Sequence, residues 1–176
     1  MKSKHFKVCQ RVTVPLMGLI STGLFLAGWE NEPAWVIRGV AFALILLYAS
    51  VQDITCRKAD NYLWIMILTL AVTNIGRVPA WSMVLGVFVV LLPQVAMNTF
   101  GRKDGIGGAD VKLSTASAVL LGFAPGAIGY MAGLFIAVIA SLIYNKIRRK
   151  DNSEPIPLLP YLSVGLMLGY MITIGG

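Results

Sequence analysis

Two aspartates stand at the ends of apolar runs in a chain that otherwise keeps charge out of such runs. Asp53 closes the run 34–51. Asp110 lies in Gly105-Ile106-Gly107-Gly108-Ala109-Asp110-Val111-Lys112, just ahead of another apolar run. An aspartate at the centre of a bilayer costs roughly 2.5–3.5 kcal/mol on insertion scales, so carboxylates in such segments are functional candidates. Peptide hydrolysis by two carboxylates needs one ionised and one protonated. The ionised group takes a proton from the attacking water, and the protonated one gives its proton to the carbonyl oxygen. Two close carboxylates settle into this state because both cannot ionise cheaply; they share a proton and titrate as a unit.

Gly105, Gly107 and Gly108 allow close backbone approach, so an extended peptide can lie against this loop. The same segment also reads as an ordinary loop in which Asp110 caps the free N–H groups of the next helix. The residues alone leave these two readings level. Gln94 and Asn98 are four apart and share one helix face; they contact a substrate or only satisfy each other. Lys112 is placed to tune Asp110 electrostatically, and it fits equally well the basic bias of an inner membrane face. The two cysteines, Cys9 and Cys56, form no CxxC pair, which excludes a disulfide framework and a cysteine-rich zinc site. The single histidine, His5, has no second ligand near it in the sequence. Cys56 therefore has no histidine to activate it and reads as a buried or interfacial thiol. No metal ion or organic cofactor is implied.

These residues must be positioned by membrane helices. Hydrophobic residues make up 57% of the chain and charged residues 13%, against about 25% charged in soluble domains. The fold expected is all-α, a polytopic transmembrane bundle of six or seven segments. The net charge of +7 would suggest nucleic acid in a soluble protein. Here it follows from basic residues collecting in cytoplasmic loops. No basic segment has a recognition motif beside it, so nucleic acid is not an expected partner.

The expected spans are 12–28, 34–51, 62–76, 79–97 (bent at Pro93, where a helix loses a hydrogen bond), 113–123, 127–144 and 157–174. The fifth is short for a span of about twenty residues and ends at Ala124-Pro125-Gly126; it is tilted, re-entrant or buried in protein. The chain divides into a basic tail with a first helix, 1–33, and a core, 34–176. With the N-terminus in the cytoplasm, thirteen of the fifteen basic residues fall on the inner side. Only Arg38 and Arg77 do not, and Arg38 is expected to snorkel outward. Trp29, Trp35 and Trp81 then gather at the outer interface, Trp64 and Tyr144 at the inner one. Asp53 and Asp110 both lie at the cytoplasmic face. The repeats Gly129-x-x-x-Gly133 and Gly165-x-x-x-Gly169 favour close helix approach inside the bundle over a dimer interface; they fix no oligomeric state.

Gly107-Gly108-Ala109-Asp110-Val111-Lys112-Leu113 resembles the glycine–aspartate motif of the type IV prepilin peptidases, membrane aspartic proteases that remove short leaders from pilin-like precursors at the cytoplasmic face. Asp53, followed by Arg57, Lys58 and Asn61, resembles that family's first catalytic aspartate and its basic loop. Ile156-Pro157-Leu158-Leu159-Pro160-Tyr161-Leu162 resembles the proline-bearing start of its last helix. The resemblance runs from about residue 36 to 172. It implies Asp53 and Asp110 as the catalytic pair. Gly105, Gly107, Gly108, Ala109, Lys112, Asn61, Gln94 and Asn98 are the candidate substrate contacts. It implies a prepilin-like or pseudopilin-like precursor as partner, with a short basic leader ahead of a hydrophobic helix that stays in the lipid. Asp60 and Asp104 are placed to attract such a leader. The family usually has Gly where this chain has Ala109, and Ala restricts a backbone at positive φ. It commonly has Ile-Pro before Asn61, where this chain has Ala59-Asp60. With about five residues between its first two spans, the chain has no room there for the cysteine-rich segment of methylating members; a peptidase-only form with one extra N-terminal helix is implied. The rival is a non-enzymatic class: a small transporter, an assembly factor or an inactive relative.

Overall fold

The structure is a computed structural model that describes residues 33–56, 60, 62–100, 107–148 and 157–173. The expected first span, Asn61 and Gly105 lie outside them. Among the described residues six helices follow in order: α1 Pro33–Cys56, α2 Tyr62–Val72, α3 Ala80–Phe100, α4 Gly108–Leu121, α5 Phe123–Arg148 and α6 Leu159–Ile172. Three are long and apolar enough to cross a membrane: Pro33–Cys56, Ala80–Thr99 and Phe123–Tyr144. The all-α membrane bundle read from composition is the fold observed.

Each helix reverses the direction of the one before. The ends Cys56, Tyr62, Phe100, Gly108, Arg148 and Leu159 therefore gather at one end of the bundle. α1 runs antiparallel to α6 through a ladder of polar contacts. The Trp35 indole N–H donates to Thr173 Oγ1 at 2.8 Å, and the Tyr170 hydroxyl donates to Trp35 O at 2.8 Å. Farther along, Ser50 Oγ meets Ser163 Oγ at 2.8 Å. Trp35 stacks on Tyr170 with ring centroids 4.9 Å apart. Trp35, in the first turn of α1, is thus buried against α6, whereas Trp81 is exposed.

α5 and α6 form the most extensive helix pair. Gly129 and Gly133 face Gly165 and Gly169. A Cβ on Gly165 would overlap the backbone of Gly133 and Gly129, and one on Gly169 would come within 2.5 Å of Pro125 O. The two small-residue repeats serve the interior of one bundle.

α4 has only 14 residues, roughly 21 Å at 1.5 Å per residue, against a hydrocarbon core of about 30 Å. It buries Leu113, Ser114, Ala116, Ser117, Ala118, Leu120 and Leu121 and touches α2, α3, α5 and α6. Of the readings open for the fifth segment, burial in protein is the one observed. The expected break at Ala124-Pro125-Gly126 lies elsewhere. Those residues form the first turn of α5, where a proline loses no helical hydrogen bond. The chain turns instead at Gly122, whose φ is 79°. A Cβ there would come within 2.8 Å of Ser82 Oγ and Val78 Cγ1. Ser82 Oγ accepts the N–H of Phe123 at 2.9 Å and so caps α5.

Arg38 is buried, and the expectation that it snorkels outward is corrected. Its Nη1 donates to Asn74 Oδ1 at 2.5 Å and to Thr73 O at 3.3 Å, and its Nε to Ala34 O at 3.1 Å. Asn74 Nδ2 in turn donates to Leu120 O at 3.0 Å. Carbonyls at helix C-termini attract a cation, and this far end of the bundle offers them.

Candidate active site

Asp53 sits one turn past Ser50 on the α1 face that meets α6. The amide N–H of Leu159 donates to Asp53 Oδ2 at 3.2 Å. The local sequence explains this bond. The first turn of a helix has free N–H groups, and the N-cap of α6, Leu158, has an apolar side chain. Pro160 has no N–H to offer. The N–H groups of Tyr161 and Leu162 both go to Leu158 O at 3.1 Å. The Leu159 N–H is left for a carboxylate from another helix, and that carboxylate also meets the positive end of the α6 dipole.

Asp110 lies ahead of the apolar stretch 113–123, in the first turn of α4 and three residues past the N-cap Gly107. Its carboxyl folds back to accept the N–H of Gly107, the backward half of a capping box. Asp110 is thus not the cap of the helix's own free N–H groups that the capping reading expects: the N-cap is Gly107, and Asp110, inside the helix, accepts the N–H of that residue. Burial first, and then the negative charge of Asp53, push the Asp110 carboxyl up from 3.8 to about 7, against the pull of that N–H. The two aspartates, far apart in sequence, stand at the same end of the bundle and interact.

Gly107 has a steric reason to be glycine: a Cβ there would lie 3.1 Å from Asp110 Oδ2. Gly108 has none, since its Cβ would meet nothing within 4 Å. Ala109 lies inside α4, with a helical backbone, and the described glycines with positive φ are Gly76 and Gly122. The alanine in place of the family's glycine therefore strains nothing. Lys112 is exposed.

α3 buries three residues, Gly86, Val90 and Gln94, one helical turn apart. They run down α4 in antiparallel register. A Cβ on Gly86 would meet Ala118 O and Gly122 at 3.0 Å, Val90 shares a small core with Ala118, Tyr130 and Leu162, and Gln94 Nε2 donates to Ser114 Oγ at 2.8 Å. One more turn brings Asn98, which is exposed, to the level of Asp110. Ser114 Oγ donates to Asp110 O at 2.7 Å, so Gln94 is tied through one hydroxyl to the turn that carries Asp110. The Tyr130 hydroxyl hydrogen-bonds the same Gln94 side chain and lies close enough to Asp110 to feel its charge. Tyr130 was not among the residues singled out from the sequence. A lone tyrosine in an apolar run signals only a membrane helix until its neighbours are known. Gln94 and Asn98 do not share one environment: Gln94 is buried and Asn98 exposed.

Gln52, beside Asp53, holds Asp60. It donates through Nε2 to the Asp60 carboxylate and accepts the Asp60 N–H at 3.0 Å. Cys56, at the end of α1, is an exposed free thiol; of the two places expected for it, burial is excluded. Among the described residues no three of His, Cys, Asp and Glu gather where they could hold a metal ion.

Neither curated proteins nor solved structures give a match to this chain. A family model described as the type IV leader peptidase family does, over residues 40–145. That stretch runs from the first third of α1 to the end of α5 and includes both aspartates and the glycine loop. The chain belongs to the type IV leader peptidase family.

Proposed function

We propose that this protein is an aspartic endopeptidase that removes short basic leaders from prepilin-like precursors at the cytoplasmic face of the inner membrane. The observation that carries the reading is that Asp53 and Asp110 stand at the same end of the bundle, near enough for the charge of one to oppose ionisation of the other. The family match supports a leader-peptidase-like function in general; the residue roles are inferred from the geometry. Asp53, held against the N-terminus of α6, is the ionised partner, and Asp110 carries the proton. As water adds to the scissile carbonyl carbon, Asp53 takes its proton and Asp110 protonates the carbonyl oxygen. When the tetrahedral intermediate collapses, the C–N bond breaks and the departing nitrogen takes the proton from Asp53. A hydroxyl of the intermediate returns a proton to Asp110. Water is consumed, one acid and one amine are released, and the pair is restored.

Gly107, Gly108 and Ala109 offer backbone against which the scissile strand lies, with Lys112 and Asn98 beside it. The hydrophobic helix of the precursor stays in the lipid. The excess of basic residues on the side of the aspartates supports the cytoplasmic placement.

The test is precursor cleavage by Asp53→Asn and Asp110→Asn protein in membranes. Each variant is expected to insert normally, to bind precursor, and to lose about 10⁴-fold or more in rate, because members of a catalytic set act as a unit. Near-normal cleavage by either folded variant overturns the mechanism in favour of a transporter or assembly role.

A further inference from the structure

Gln94 is 1% exposed, and its Oε1 is a buried oxygen without a hydrogen-bond partner. A buried acceptor left unpaired costs about 1–3 kcal/mol, so an orphan of this kind asks for an explanation. Exchanging the amide nitrogen and oxygen of Gln94 does not remove it. Ser114 Oγ already gives its proton to Asp110 O, so the flip would lose the Nε2 donation to Ser114 and strand the nitrogen in the buried place of the oxygen. The amide is held on one side by Ser114, is bonded by Tyr130, and stands one helical turn from the Asp110 level on α3. α3 is the least buried of the three long helices. It packs on α4 through Gly86, Val90 and Gln94.

From this arrangement we infer that Gln94 Oε1 is the acceptor for a main-chain N–H of the precursor strand beside the scissile bond, and so a positioning residue for cleavage. The inference rests on the proposed peptidase reading. A precursor lying extended against Gly107–Ala109 has N–H groups along its edge, and each needs an acceptor once water is excluded. Gln94 supplies a neutral one without adding a third negative charge to the aspartate pair. Trp64 Nε1 and Thr115 Oγ1 are also buried without partners, but no contact ties them to Asp110.

The experiment is an ester scan of the precursor. Each amide flanking the scissile bond is replaced in turn by an ester, which removes one N–H and keeps the chain shape. With the wild-type enzyme, one ester position is expected to lower kcat/KM about tenfold, the scale of one lost hydrogen bond. In Gln94→Met the amide precursor is expected to lose a similar factor, and the same ester to cost less than about twofold more, since the acceptor is already gone. Gln94→Glu keeps an oxygen and is expected to keep the ester sensitivity, which guards against a misfolded Gln94→Met. A merely structural glutamine would slow all precursors alike and show no coupling. The same cycle read as precursor affinity, in an Asp53→Asn background, needs no cleavage. Coupling in binding without cleavage in wild type would count against the peptidase reading alone. Additive effects at every position, as expected if Oε1 only holds a buried water, overturn the assignment of Gln94.

Discussion

Gly107→Ala is the most local test of how the second aspartate is held. Gly107 is the N-cap of α4 with φ −59° and ψ 139°, a conformation open to any residue, so backbone strain plays no part. What changes is space. The new methyl carbon would lie 3.1 Å from Asp110 Oδ2 and 3.7 Å from its Cγ, closer than ordinary van der Waals contact. The carboxyl has to yield by a few tenths of an ångström or more, and in doing so it weakens the bond it accepts from the Gly107 N–H. A hydrogen bond to a neutral group such as the protonated Asp110 is worth about 0.5–1.5 kcal/mol, and a catalytic group misplaced by about 1 Å costs roughly 10²-fold in rate. Since the expected displacement is smaller, kcat should fall about 10- to 50-fold with KM nearly unchanged. The assay is cleavage kinetics on a prepilin-like precursor in detergent or nanodiscs, with the apparent melting temperature measured in parallel. An unchanged kcat in a folded Gly107→Ala protein would refute the claim that this contact sets the Asp110 carboxyl. So would a loss carried entirely in KM.

Three further outcomes are expected. Gly165→Ala places a methyl group on the backbone of Gly133 and Gly129; forcing α5 and α6 apart should cost about 1–3 kcal/mol or more and lower the melting temperature, and a silent Gly165→Ala would show that the two helices do not meet there. Arg38→Met strips the donor from Asn74 Oδ1 and Thr73 O at about 1–3 kcal/mol for each acceptor left unpaired; thermal unfolding reads it, and wild-type stability would refute the network. The third concerns pH. The Asp110 carboxyl titrates at about 7 in the fold against 3.8 ordinarily, so the folded protein holds this proton more tightly than the unfolded chain. Its stabilising contribution is complete below 3.8 and is lost as pH rises through about 7; cleavage should fall over the same alkaline limb. Asp110→Asn should flatten the stability profile in that window, and an unchanged slope would count against the burial of this group.

How much of this was legible in the sequence depended on whether the signal was local. The aspartates stood out because charge in apolar segments is costly, and the glycine loop stood out by its residue types. The small-residue repeats of α5 and α6 announced close helix contact because nothing else explains glycine at that period in an apolar helix. What failed to show were partnerships between segments. Arg38 obeys a general rule of charged residues near membrane ends until Asn74 and Thr73 are brought beside it; then the cheaper solution is inward. Trp35 likewise finds Tyr170 and Thr173 across the bundle. The break before α5 was misplaced because Pro125 and Gly126 look like helix breakers in sequence, yet a first turn tolerates both. The positive φ falls on Gly122, where a Cβ would also collide with Ser82.

The proline-bearing stretch before α6 makes the same point about the site. In sequence it marks only a helix start. In the fold, Pro160 withholds one N–H, Leu158 O takes two others, and the amide of Leu159 is left for Asp53. One aspartate is thus held by the start of a helix more than a hundred residues away in the chain. The protonation of the other is settled by its burial and by the charge of the first. The catalytic asymmetry proposed here is a property of how α1, α4 and α6 end together, and neither aspartate carries it in its own motif.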